Sequence, residues 1–427
     1  MRLLRAYPAG LNFARVIMLE SKPAWDPVET LCELIRIPSL NPMGQQVTGE
    51  EWLEYRISEW LEKRLGRLPG QLHRMEVAGR GANLFLHLPG RPGAMHLLLE
   101  AHQDTVPTSG MTIPPFTPTI RDGRIYGRGA CDVKGGLAAM LCAVATAASW
   151  PIEQRPSLTL CATCDEEYGV LGMQQWMRSW SKLGAFSEGV PLQVDQVIVA
   201  EPTSLNVVVA HLGVVRWNVH THGLSAHSSR PSNGRNAIYR MASLVQWFEQ
   251  QARELEQHGR RDAWCGEPSM SVGVIGGGLS VNVVPDHCRI EIDRRLIPGE
   301  RGAEVWGEIK RRLEEDGFSD CTIDPPWCDH GPLTPSSDLA FAEQLLAASS
   351  RESENRQMIG VRFGTHATHF ARHGIPAVVF GPGSIDQAHT ADEWIDIEQL
   401  RAATRILMSI IAKMAKTPSS GEDGKSR

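Results

Sequence analysis

The stretch "SLTLCATCDEEYG", residues 157–169, runs an apolar segment of strand character straight into three consecutive carboxylates, Asp165, Glu166 and Glu167. Like charges at a strand end repel, and burying them unpaired is prohibitive. A positive charge is therefore expected where this strand stops, and its source decides how the chain is read.

Around that strand, apolar strands alternate with helical patterns. "VETLCELIRI" (28–37) and the amphipathic "EEWLEYRISEWLEKRL" (50–65) read as helices, "NLFLHL" (83–88) and "HLLLEAH" (96–102) as strands. "GGLAAMLCAVATAASW" (135–150) is a helix apolar nearly all round, and "QVIVAEPT" (196–203) a further strand. The alternation predicts an α/β fold, a mixed, largely parallel sheet sandwiched by helices. Ligands of such sheets gather at the carboxyl ends of the strands.

The texture changes at about residue 207. Two strands, a long helix, two strands and a helix predict an antiparallel α+β unit over 207–325, inserted into a principal domain of 22–206 and 326–417. Residues 1–21 are expected to be an extension, and 418–427 a solvated tail.

Composition limits the functions available. The formal charge of -6 carries no basic excess, which argues against nucleic acid and for a small-molecule partner. No run approaches the roughly 18 apolar residues needed to span a membrane. Nine scattered cysteines do not form a disulfide framework and suit a reducing cytoplasm. The close pair Cys161 and Cys164 lies inside an apolar strand and reads as core.

Chemistry-bearing residues cluster at predicted strand ends. His102 and Asp104 share one side of the chain at an i, i+2 spacing, so that one can bind a metal while the other orients it. Asp132 sits in the glycine-rich "GRIYGRGACDVKGG" (123–136), where a helix-capping role is the alternative. Glu166 and Glu167 follow one strand and Glu201 another; His389 lies in "FGPGSIDQAHTADEW" (380–394). Together His102, Asp132, Glu167, Glu201 and His389 offer two imidazoles and three carboxylates, a ligand set for two divalent ions sharing one carboxylate. Nitrogen and oxygen donors without thiolate suit zinc, with cobalt or manganese possible.

Seven segments in order, "HQDTVP", "GRGACDVKGG", "CDEEYG", "AEPT", "GLSAHSSRPSNGRNAI", "NVVPDHCRIEIDRRLIPG" and "GPGSIDQAHTADEW", resemble the motifs of the dinuclear zinc amidohydrolases. That family includes acetylornithine deacetylase, succinyl-diaminopimelate desuccinylase, glutamate carboxypeptidase and aminoacylase. The resemblance implies a zinc-exopeptidase-like fold whose inserted ferredoxin-like domain serves as lid and dimerisation element, hence a homodimer. It implies that Asp132 bridges the two ions, with His102 and Glu201 at one and Glu167 and His389 at the other. Asp104 would orient His102, and Glu166 would be the general base.

The resemblance also nominates His227 as an oxyanion donor, and Arg295 and Asn282 as the grip on a substrate carboxylate. Read locally, His227 is an ordinary loop residue, Asn282 a turn and Arg295 a salt-bridge partner of Asp293. The last motif looks most like acetylornithine deacetylase, which implies hydrolysis of N2-acetyl-L-ornithine to L-ornithine and acetate, a step of arginine biosynthesis. The desuccinylase, other N-acyl-amino-acid deacylases and carboxypeptidases share that chemistry. "FGTHATHF" (363–370) departs from many relatives, which carry Asp where this chain has His366, and His366 is expected to line the pocket. A deacylase-like binding protein without activity is the competing class.

Overall fold

The computed structural model describes residues 23–183 and 194–416. The expected extension of residues 1–21 and the tail of 418–427 lie outside the described residues. The chain divides into two compact units, one of residues 1–208, 336–358 and 365–427, the other of 209–335 and 359–364.

The first unit is built on a mixed sheet. From one edge its strands run Gln71–Glu76, Ala82–Leu88, Ser157–Thr163, His96–His102, Gln196–Val199 and Ala377–Val379. The last four are mutually parallel, whereas Ala82–Leu88 runs antiparallel to both its neighbours, Gln71–Glu76 and Ser157–Thr163. Parallel strands are buried on both faces and so read as continuous apolar runs. Accordingly every residue of His96–His102 is buried, and the antiparallel Ala82–Leu88, flanked by strands on both sides, is fully buried as well.

The helix Lys134–Ala148 is buried along its whole length and packs against Pro27–Ile35 and Ile397–Met414. Small residues permit this close approach. A Cβ on Gly136 would stand 2.8 Å from the Cβ of Ala200, so the helix start can lie against that strand end only as glycine. The buried Lys134 donates from Nζ to the carbonyls of Leu34 and Ile37, at and just past the carboxyl end of the helix Pro27–Ile35. Elsewhere in the unit, Trp176 of Leu171–Leu183 packs edge-on against Phe85 and Phe370. Each fully buried aliphatic or aromatic side chain of this core contributes about 1.5–3 kcal/mol.

Because the four central strands point the same way, their carboxyl ends share one edge. His102 ends one strand, Asp165–Glu167 follow the next, and Glu201 lies just past Val199. The strand Ala377–Val379 leads into the loop that carries His389.

The second unit is an antiparallel sheet in the order Ser269–Gly277, His287–Leu296, Gly213–His222, Thr322–Ile323. Helices Ala237–His258 and Gly302–Glu315 close its core around Trp217, Phe248, Ile290 and Leu313. Its limits differ from 207–325. Cys328–His330 pairs with Val214–Arg216, so the chain beyond Pro325 stays in the sheet, and Leu212 N–H donates to the Val361 carbonyl, bringing in residues 359–364.

Candidate metal centre

Asp132 lies at the middle of the cluster. Its Oδ1 is 3.1 Å from His102 Nε2 and its Oδ2 is 3.3 Å from His389 Nε2. The same His389 nitrogen is 3.2 Å from Glu167 Oε2. His102, Asp132 and Glu167 offer ligand atoms that all lie within 4.8 Å of one another. The His102 Nδ1–H donates to the backbone carbonyl of Asp104 at 2.9 Å, which turns Nε2 toward Asp132.

The Asp104 side chain lies close to His102 without a hydrogen bond between the two. Its carboxylate stands 3.6 Å from His102 Nδ1, beyond hydrogen-bond reach. It instead accepts the backbone N–H groups of Glu166 and Glu167, at 3.0 and 3.1 Å, and the amide of Asn41 at 2.8 Å. Asp104 thereby holds the acidic loop, while its carbonyl holds His102. Burial works to raise the Asp104 carboxyl, but His102 and these donors prevail and bring it to about 2.

The electrostatics follow from crowding. Burial, then the charge of Asp132, pushes Glu167 up to about 8. Burial, followed by repulsion from Asp132 and Glu166, raises Glu201 well above its ordinary value. Glu166 is raised by burial and by Asp104 and Asp132, against the pull of His102 and His366. His389, bonded to Asp132 and Glu167, rises to about 10 despite partial burial. For Asp132 burial is again outweighed, here by its two imidazoles, and the carboxyl is held low.

These residues fit divalent cations. His102, Asp132 and Glu201 are buried, His389 is half exposed, and Glu167 Oε1 is buried with no hydrogen-bond partner. An unpartnered buried carboxylate oxygen is costly unless a cation meets it. The donors are nitrogen and oxygen, since the thiol of Cys131 points to the carbonyl of Ser384. His389 and Asp165 take positive φ, 60° and 65°, a conformation that non-glycine residues hold mainly where surroundings enforce it.

Arg80 answers part of the charge problem of the acidic strand end, and Asn41 and Glu54 help fix its loop, in ways the sequence did not announce. Arg80 Nη2 is 2.5 Å from Asp165 Oδ1, and Asn41 bridges Asp165 to Asp104. Glu54 accepts the Asp165 N–H at 2.8 Å and is itself pushed up to about 8, by burial first and then by Asp104. Asp165 is a loop-building residue, as its acceptance of the Leu171 N–H also indicates.

His366 is buried and its Nδ1 is 2.9 Å from Glu100 Oε1, which also accepts the Thr163 hydroxyl at 2.5 Å. A glutamate inside the apolar "HLLLEAH" was the available signal for such a partner.

His227, Asn282 and Arg295 belong to the second unit. His227 and Asn282 are neighbours, on the ribbon formed by Ala226–His227 and Val283–Val284, where Ser228 N–H donates to the Asn282 carbonyl. His227 Nδ1 is 2.8 Å from the Ser229 hydroxyl. Arg295 lies in the main sheet of that unit and pairs with Asp293 at 2.8 Å, the local partner its sequence position offers.

An α/β sheet whose parallel strand ends gather acids and imidazoles is the framework of a metallohydrolase. The chain belongs to peptidase family M20/M25/M40, whose family model matches residues 98–413. It is 32% identical over 397 residues to the acetylornithine deacetylase of Photorhabdus laumondii, covering 90% of this chain and 96% of that one. The acetylornithine deacetylase of Myxococcus xanthus is also 32% identical, over 329 residues that cover 75% of this chain and 80% of the relative. In fold it resembles a dinuclear metal-binding peptidase of the family from Bacillus subtilis, with a TM-score of 0.61 at 15% identity, over 92% of this chain and 98% of the other. The chain is therefore a hydrolase acting on amide bonds.

Proposed function

We propose that this hydrolase removes the acyl group of an N-acyl amino acid, converting N2-acetyl-L-ornithine to L-ornithine and acetate for arginine biosynthesis. The observation that carries the reading is the Asp132 carboxylate shared between His102 and His389, with Glu167 on the same imidazole and Glu166 beside them. Two relatives named acetylornithine deacetylase support the substrate.

In this reading His102, Asp132 and Glu201 hold one ion, and Asp132, Glu167 and His389 the other, with zinc the metal and cobalt a substitute. Once bound, the ions supply Lewis acidity, which brings a water toward neutral pKa and polarises the amide carbonyl. Glu166 is the general base. Its backbone is pinned to Asp104, its carboxyl is buried, and burial raises its proton affinity toward the range useful at neutral pH. It accepts the proton of the attacking water and returns it to the departing amine, so the α-amino group leaves neutral. His227 serves as an oxyanion donor, and Arg295 and Asn282 serve the substrate carboxylate, for which the guanidinium fork is suited. His366, held by Glu100, shapes the acyl preference.

A homodimer formed through the second unit belongs to the same reading. Ser269–Gly277 is an edge strand of that sheet with Val274 and Ile275 exposed, and Tyr239 is exposed on the helix packed beside it. Such an edge invites pairing with a second copy. The nine cysteines are free thiols, which supports a cytoplasmic location; among the described residues no helix is long and apolar enough to cross a membrane.

The test is a substrate panel for the zinc-loaded protein: N2-acetyl-L-ornithine, N-succinyl-diaminopimelate, other acetyl amino acids and dipeptides. The reading expects the highest kcat/KM on N2-acetyl-L-ornithine. Preference for the succinyl or peptide substrates would move the assignment within the family, and no turnover of any would favour the inactive class.

A further inference from the structure

Glu393 lies on the segment that carries His389 and is 1% exposed. Its Oε2 accepts Arg128 Nη1 at 2.6 Å and the Gly129 N–H at 2.9 Å; its Oε1 accepts the N–H groups of Cys131 at 2.8 Å and Asp132 at 3.1 Å. The Glu393 backbone carbonyl takes the Gly127 N–H at 3.0 Å as well. One residue therefore meets the N–H groups of Gly127, Gly129, Cys131 and Asp132.

Arg128 N–H to the Pro115 carbonyl at 2.8 Å and Ala130 N–H to the Gly127 carbonyl at 3.1 Å also hold that turn, and Glu393 adds a tie to the His389 segment. The turn contains two glycines at positive φ, Gly127 and Gly129, and a Cβ on Gly129 would stand 2.7 Å from Thr105 Cγ2, so the path tolerates no side chain there. A carboxylate placed behind Asp132 adds negative charge to an already acidic region. Such burial persists only because a guanidinium and three amide hydrogens meet every part of it. The cost makes sense if the location of Asp132 must be exact.

We infer that Glu393 is a positioning residue for the metal centre, strapping the Asp132 turn to the His389 segment so that both deliver their side chains to one place. The inference rests on the reading of Asp132 and His389 as ligands. Glu393→Gln replaces one oxygen by an NH2 group facing two N–H donors. Glu393→Asp keeps the charge and shortens the reach. Because outer residues that orient ligands typically govern metal affinity by 10–100-fold, both variants should weaken zinc binding by about that factor.

The experiment measures zinc dissociation constants by competition with a chromophoric chelator for wild type, Glu393→Gln, Glu393→Asp and Asp132→Asn. It also measures thermal melts, and kcat and KM on N2-acetyl-L-ornithine at rising zinc. The strap predicts folded Glu393 variants, zinc constants about 10–100-fold weaker, rates restored by excess zinc, and KM unchanged. Zinc constants within twofold of wild type in a folded Glu393 variant, alongside loss of zinc from Asp132→Asn, would overturn the strap and leave the ligand reading intact. Equal zinc binding by wild type and Asp132→Asn would overturn the ligand reading itself, and the inference with it. Failure of both Glu393 variants to fold would make Glu393 a fold residue and overturn the inference too.

Discussion

Arg80 Nη2 lies 2.5 Å from Asp165 Oδ1, with both side chains buried. This pair supplies part of the positive charge that the acidic strand end demands, and it does so without occupying the ligand cluster. Removing one partner of a buried pair leaves the other charge uncompensated, which costs about 3–5 kcal/mol. Arg80→Met should accordingly lose about that much stability in urea unfolding. The double variant Arg80→Met with Asp165→Asn should recover part of the loss, since the orphaned charge is gone.

The carboxylate of Asp104 is the anchor for the backbones of Glu166 and Glu167. Asp104→Asn keeps the shape but replaces one acceptor oxygen by a donor facing an N–H. Metal affinity and kcat should each fall about 10–100-fold, read by metal titration and steady-state rates.

Glu166 is assigned to proton transfer and not to metal binding. Glu166→Ala should therefore retain the metal content of wild type while kcat drops about 10²–10⁴-fold. Metal content and turnover measured on the same preparation check both halves, and a variant that loses its ions would show that Glu166 is a ligand.

Protonation of the metal-free cluster gives a pH dependence with a definite sign. Glu167 is raised to about 8 from an ordinary 4.5, and His389 to about 10 from 6.5. Groups raised in the folded state contribute most below their unfolded values and lose that contribution as pH climbs through the folded values. The metal-free protein should thus melt at progressively lower temperature between pH 5 and pH 10, and zinc loading should flatten the trend. Binding displaces these protons, so zinc affinity should rise with pH. Calorimetric melts at several pH values, with and without zinc, provide the check.

The exposed edge of the second unit bears on assembly. Ile275→Lys places a charge on the edge strand, where lysine is a usual guard against pairing. Sedimentation should show the variant as a monomer and the wild type as a dimer.

How far the chain could be read in advance follows from physics at each position. His102, Glu167 and Glu201 end apolar strands, so periodicity marks where they stand, and parallel strands bring those ends together. Arg80 sits in the turn before a strand and Glu393 in a polar loop, where no period distinguishes an essential partner from a solvated residue. Their importance comes from burial, which local sequence does not encode. Glu100 was readable in principle, because a carboxylate within an apolar strand requires a partner, yet only the fold could name His366. The second unit extends to Pro335 because Cys328–His330 pairs into its sheet, and so short a strand does not stand out in the sequence among flanking loop residues.

The most direct measurement is the rate of N2-acetyl-L-ornithine hydrolysis by protein stripped through exhaustive chelation and then titrated with zinc. The account predicts no turnover before addition and a rise that levels off at two ions per chain. Full rate in the stripped protein, or activity indifferent to added metal, would contradict it.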